Sequence, residues 1–168
     1  MPNSDYTNKP WAASVIKKMQ PATAIDFGAG EGIYGQIIKK YSPETYTIGV
    51  EVWAPYVTQY QLDKTYDEVW VCDARIYPHF KYDLVIFGDI LEHMTKEDAV
   101  ALWERVSKEA KYAIISMPIV EFPQGHVHGN PFEEHVKDNW THEEILETFG
   151  GIVAHETFEV TGIYLAKF

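Results

Sequence analysis

One cysteine, Cys72, is all the sequence contains, so an internal disulfide is excluded and a reducing compartment fits. No apolar run approaches the ~20 residues that cross a bilayer. The N-terminal MPNSDYTNKPW lacks the apolar core of a signal peptide, so a cytoplasmic protein off the membrane is expected. Bases are scarce: 14 Lys and Arg against 25 Asp and Glu leave a net charge of -11. Such a surface repels phosphate backbones, and no Lys/Arg run offers a local exception, so nucleic acid is not an expected partner. Repeats, low-complexity tracts and linkers are lacking too. What is there is 168 residues, 46% hydrophobic, 23% charged and rich in aromatics at 14%. That predicts a single globular domain over 1–168 with one good core.

Strands and helices alternate along the chain. A helix is expected from near Asn8, with Pro10 in its opening turn, Trp11, Val15 and Met19 on one face, and Pro21 at its end. Residues 23–27 read as a short strand, and Ile33, Ile37, Ile38 and Tyr41 mark the helix after it. Residues 45–52 predict a second strand, 54 to about 63 a helix, and 68–72 a third strand. The run LVIF at 84–87 is apolar throughout, as in a strand buried on both faces of a parallel sheet. Thr95 with Asp98 opens a helix whose buried face is Ala99, Leu102, Trp103, Val106 and Ala110. Residues 112–116 are a fifth strand. Thr141 with Glu144 caps a short helix stopped by Gly150 and Gly151, and 152–168 reads as two strands turning near Thr161 and Gly162. This alternation predicts an α/β doubly wound sheet, which binds ligands beyond the carboxyl ends of its strands.

Four consecutive strands deliver acids to that edge. The first ends in IDFGAGEG (25–32), the second at Glu51, the third at Asp73 and the fourth at Gly88-Asp89. A glycine turn after a strand is common, and any one acid there serves as readily as a helix cap. The set of four favours a ligand site. A dinucleotide fingerprint spaces its glycines G-x-G-x-x-G, with pyrophosphate on the helix N-terminus. Here the third glycine comes one residue early (Gly28, Gly30, Gly32), and Glu31 occupies the place of the pyrophosphate, with Asp26 below. Like charges in a dry turn repel. Glu51 suits a ribose diol and Asp73 an exocyclic amine, so the ligand expected is a cationic nucleoside without phosphates.

At this point the chain resembles the class I S-adenosylmethionine-dependent methyltransferases. Asp26-Phe27-Gly28-Ala29-Gly30-Glu31-Gly32 resembles the family's first motif. Gly49-Val50-Glu51 resembles the second and Val71-Cys72-Asp73-Ala74 the third. Asp83 to His93, with Leu91-Glu92-His93, resembles the fourth. The likeness spans about residues 22–118. It implies a mostly parallel seven-stranded sheet with an antiparallel C-terminal strand and helices on both faces. It also implies S-adenosylmethionine as cofactor, giving S-adenosylhomocysteine, bound by Asp26, Gly28, Ala29, Gly30, Gly32, Glu51, Val52, Asp73, Ala74, Asp89, Ile90 and Leu91. One departure stands out: ARIYPHFK (74–81) leaves no room for the helix usual between the third and fourth strands.

Methyl transfer from a sulfonium is an in-line displacement that needs a base only if the acceptor must lose a proton. The acceptor side is expected in residues 118–140, a long loop rich in aromatics, histidines and prolines. His126, His128, Asn130 and Trp140 are candidate substrate contacts, and His135, Asp89 and His93 candidate catalytic residues. His126-Val127-His128 with His135 or Glu121 is too loosely spaced for a metal site, and none is expected. By the same resemblance, residues 1–21 form a helix or lid over the cofactor, with Tyr6 a candidate lid residue and Trp11 read as ordinary packing. Trp53 and Tyr56 are placed to pack on an adenine. Without an added domain, a small or medium acceptor is expected; oligomeric state is left open. The competing readings are a non-catalytic S-adenosylmethionine binder and a nicotinamide-dependent oxidoreductase. An aminopropyltransferase is a further one, although nothing here resembles its acidic polyamine-binding segments.

Overall fold

The computed structural model describes residues 6–168. In chain order it contains α1 (Lys9–Met19), β1 (Thr23–Phe27), α2 (Ile33–Tyr41), β2 (Tyr46–Glu51), α3 (Ala54–Gln59), α4 (Leu62–Thr65) and β3 (Glu68–Val71). Then follow β4 (Leu84–Gly88), α5 (Lys96–Glu109), β5 (Tyr112–Pro118), α6 (His142–Thr148), β6 (Ile152–Thr157) and β7 (Thr161–Lys167). The seven strands form one sheet in the order β3-β2-β1-β4-β5-β7-β6. The first five are parallel. β7 inserts antiparallel between β5 and β6.

The LVIF strand shows how the sequence builds this sheet. Side chains alternate across a strand. Leu84 and Ile86 pack with Ala12 and Ile16 of α1 and Ile38 of α2, and Val85 and Phe87 pack with Leu102, Trp103 and Val106 of α5. Four apolar residues in a row thus serve two cores, one on each face. The chain reverses its winding between β1 and β4, where a doubly wound sheet opens a crevice.

Both threonine caps form: Thr95 Oγ1 accepts from the Asp98 amide at 3.2 Å and Thr141 Oγ1 from the Glu144 amide at 3.1 Å. Two expectations are corrected. The helix from Ala54 is two short ones, broken by Gln61 in a left-handed conformation (φ 51°). The tail turns at residues 158–160, because Thr161 and Gly162 already pair with Pro118 and Met117. The fully buried positions of α1 are Lys9, Ala12 and Ile16, with Trp11, Val15 and Met19 only partly covered beside them. As expected, the segment after β3 holds no full helix, only a 3-10 turn, Ala74–Ile76. Among the described residues, no helix is long and apolar enough to cross a membrane.

Candidate active site

A cavity of about 210 Å³ opens at the carboxyl ends of β1, β2, β3 and β4. Its floor is the glycine turn. Gly28 has φ 72°, and a Cβ there would lie 2.6 Å from Ile90 Cγ2, so no side chain fits. Gly30 has φ 49°, and a Cβ there would meet only the Gly28 carbonyl oxygen, at 3.7 Å; without it the backbone itself forms the cavity surface. The Gly28 and Ala29 amides donate to the Val50 carbonyl at 2.9 and 3.0 Å, lacing the turn to β2.

Glu51 is 5% exposed, yet it lines the cavity. Its Oε2 accepts from the Gly30 amide at 2.9 Å and its Oε1 from the Trp53 amide at 2.8 Å. Burial pushes its carboxyl up, and the Trp53, Gly30 and Val52 amides oppose the rise. A carboxylate has about four lone-pair sites, so two amides orient it and leave others for a ligand.

Asp73 also lines the cavity, but its neighbour changes its character. The Arg75 Nε donates to both of its oxygens at 3.0 Å, and Nη2 to Oδ2 at 2.5 Å. Those bonds hold its carboxyl below the usual range. The acid expected to meet an amine therefore already has a cation. Arg75 in turn reaches Asp98 at 2.9 Å, a tie from the short 74–81 segment to α5.

Asp89 ends β4 with φ 60°. Two partners hold it: Ser116 Oγ donates to Oδ1 at 2.7 Å and Lys9 Nζ to Oδ2 at 3.3 Å. Asn8 Nδ2 donates to Ser116 Oγ at 2.9 Å, extending the network into the start of α1. Sequence reasoning missed Lys9, Asn8 and Ser116. An amphipathic helix assigns lysine to solvent, and nothing local signals otherwise.

The far wall is the 3-10 turn Leu91–His93 and the loop after β5. That loop folds back on itself: the His135 amide donates to the Gln124 carbonyl at 2.9 Å, and Asn130 Oδ1 accepts from the Phe132 amide at 2.9 Å. His93 and His135 meet edge to face with ring centroids 4.8 Å apart. Burial lowers both imidazoles below their usual pKa, which favours their neutral form. Glu92, also missed from sequence as a site residue, is buried, and burial raises its carboxyl well above the ordinary range.

With the site laid out, its likeness to solved structures is informative. No protein-family model and no curated protein sequence matches the chain. The structure superposes on an S-adenosylmethionine-dependent methyltransferase from Clostridium acetobutylicum with a TM-score of 0.72 at 15% identity, covering 98% of this chain and 93% of that one. The N-terminal domain of EvdMO1 with S-adenosylhomocysteine bound gives 0.69 at 12%, covering 96% and 81%. Human N-acetylserotonin methyltransferase in complex with S-adenosylmethionine gives 0.65 at 12%, covering 96% and 51%. The fold is that of the class I S-adenosylmethionine-dependent methyltransferases. The chain spans about half the length of some of these matches, 55% for a chain from Nostoc punctiforme.

On this methyltransferase fold the expected site residues divide. Gly28, Ala29, Gly30, Glu51, Val52, Asp73, Ala74, Asp89, Ile90, His93, Asn130 and His135 all line the cavity. Asp26, Gly32 and Leu91 do not. Asp26 lies beneath the floor, taking a 2.5 Å hydrogen bond from the Tyr66 hydroxyl, and Leu91 is core. His126 and His128 are exposed and outside the cavity, with His126 paired to Glu134 at 3.4 Å. Trp140 is 1% exposed and packs on Phe149, a core residue away from the cavity. Of the expected lid, residues 1–5 lie outside the described residues. Tyr6 donates to Glu31 Oε2 at 3.2 Å beside the cavity mouth, whereas Trp11 packs against the α1–α2 core. Trp53 and Tyr56 do not line the cavity; Trp53 leans toward Phe132 at 6.2 Å and Tyr56 is buried.

Proposed function

We propose that the protein is an S-adenosylmethionine-dependent methyltransferase acting on a small or medium-sized acceptor. The observation that carries this reading is Glu51, a buried carboxylate aimed by two backbone amides beside a glycine turn whose open face is bare backbone. That arrangement fits a nucleoside's ribose hydroxyls and leaves no place for a pyrophosphate, because Glu31 stands at the turn and lines the cavity. S-adenosylmethionine, when bound, supplies an electrophilic methyl group on a sulfonium. The carboxylates of Glu31, Glu51 and Asp89 give the cavity the negative potential that favours such a cation.

The chain's own residues then have distinct tasks. Glu51 accepts from the ribose, and the glycine turn brings backbone close to the ligand. Asp73, neutralised by Arg75, borders the base with Val52, Ala74 and Ile90. Asp89 is fixed at the end of β4 by Lys9 and Ser116. His93 and His135, uncharged at the opposite wall, face the acceptor and take its proton where one must leave. The loop after β5 roofs this end with Phe122, Gln124, Asn130 and Phe132, which limits the acceptor's size. The neighbours' named acceptors include N-acetylserotonin and mitomycin, both small molecules.

Transfer of a labelled methyl group from S-adenosylmethionine to a panel of small hydroxyl, amine and thiol compounds tests the reading. Labelled product on any member supports it. Tight cofactor binding with no transfer across the panel favours a non-catalytic binder.

A further inference from the structure

Glu92, His93 and His135 each offer one ligand atom within 4.8 Å of the others, where the turn at 91–93 meets the loop after β5. Each group is held from behind. His93 Nδ1 lies 3.0 Å from the Glu134 carbonyl and His135 Nδ1 2.6 Å from the Phe122 carbonyl. A carbonyl only accepts, so both neutral rings carry their proton on Nδ1 and keep the Nε2 lone pair open. The Glu92 carbonyl accepts from the Val136 and Lys137 amides at 2.9 and 3.0 Å, which fixes turn and loop together.

Glu92 is 2% exposed, and its Oε2 has no hydrogen-bond partner among the described residues. Cations nearby are engaged elsewhere: Arg75 with Asp73 and Asp98, Lys9 with Asp89 and Tyr34. A buried carboxyl oxygen without a partner, in a cluster with two imidazole nitrogens, is a set of ligand atoms that a cation satisfies. Such a set is costly to bury unless a cation joins it. Imidazoles braced through Nδ1 on backbone carbonyls also have the orientation that metal-ligating histidines adopt.

We propose that Glu92, His93 and His135 form a binding site for a divalent transition metal ion of the zinc class, opening into the cavity. Two histidines and a carboxylate suit that class and leave a fourth position free. Bonds of about 2.0–2.2 Å bring the three ligand atoms closer together than 4.8 Å, so binding draws the loop at His135 toward the turn at 91–93. The free position takes an oxygen donor, so the acceptor class becomes a hydroxyl compound whose acidity the ion raises; with both Nε2 lone pairs engaged, its proton leaves to solvent rather than to His93 or His135. That last step rests on the methyltransferase reading; the metal site does not. It also differs from the His126-Val127-His128 grouping, which lies outside the cavity.

The test uses the full chain, stripped with a chelator and titrated calorimetrically with Zn²⁺ alone. One equivalent binds, and Co²⁺ in its place gives the visible absorption of a low-coordinate site. His93→Gln and half-exposed His135→Gln each weaken Zn²⁺ at least about tenfold. Changing the other close histidine pair, His142 and His155, to Gln leaves the affinity unaltered. Melting curves of the metal-free variants establish that they fold, and Glu92→Gln is read only beside them. S-adenosylhomocysteine affinity is measured on the same samples. Zn²⁺ binding without cofactor binding upholds the site and removes the methyltransferase reading. The reverse result removes the site alone. No uptake by the unaltered protein, or uptake that follows His142 and His155, overturns the proposal.

Discussion

Lys9 Nζ lies 3.3 Å from Asp89 Oδ2 and 3.1 Å from the Tyr34 hydroxyl, with only 6% of Lys9 exposed. The contact joins the first turn of α1 to the end of β4. Burial works against the ammonium, but Tyr34 and Asp89 together outweigh it and hold its pKa above the ordinary lysine range. Removing one partner of a buried pair leaves the other charge uncompensated.

Lys9→Met therefore lowers stability by about 3 kcal/mol in urea denaturation. The double change Lys9→Met with Asp89→Asn costs less than the two single changes summed, because the second removes the stranded charge. Additive costs contradict a coupled pair.

Asp26 sets a pH dependence. Burial raises its carboxyl to about 7, with Glu51 and Asp89 adding to the rise and Tyr66 and Lys9 opposing it. Its ordinary value is 3.8. Between those values the folded protein keeps a proton that the unfolded chain has released. The associated stability is complete below about pH 4 and lost as pH climbs to about 7, by up to about 4 kcal/mol. Asp26→Asn removes this slope while keeping an oxygen for Tyr66. Urea midpoints at pH 5 and 8 check it: the wild type falls between them more than the variant does. Equal falls place the titration elsewhere.

Glu51→Ala weakens S-adenosylhomocysteine binding by more than about 1 kcal/mol, because it removes charged hydrogen bonds to the ribose. It also unpairs the Gly30 and Trp53 amides, so a modest loss of stability accompanies it. Unchanged affinity by calorimetry refutes the ribose assignment.

Much of the fold was legible because the signals were local. LVIF had to be a doubly buried strand, and Thr95 and Thr141 sit where their side chains reach the amides three residues on. The glycine turn with Glu51 pointed to the cavity for the same reason. What stayed hidden depends on contacts between distant segments. Lys9 reads as a solvent-facing helix residue until Asp89 and Tyr34 are placed around it. His93 and His135 meet only because the loop after β5 folds back onto the turn at 91–93. Glu92 sits in a turn of three residues, too short for periodicity to announce its burial. Trp140 misled because a loop tryptophan resembles a substrate contact, whereas here it closes the core under α6.

The most direct test of the central claim is calorimetric titration of the whole protein with S-adenosylmethionine, S-adenosylhomocysteine and NAD. The acidic glycine turn with Glu51 beneath it predicts that both adenosyl ligands bind with one-to-one stoichiometry and that NAD does not. Binding of NAD with neither adenosyl ligand contradicts the account.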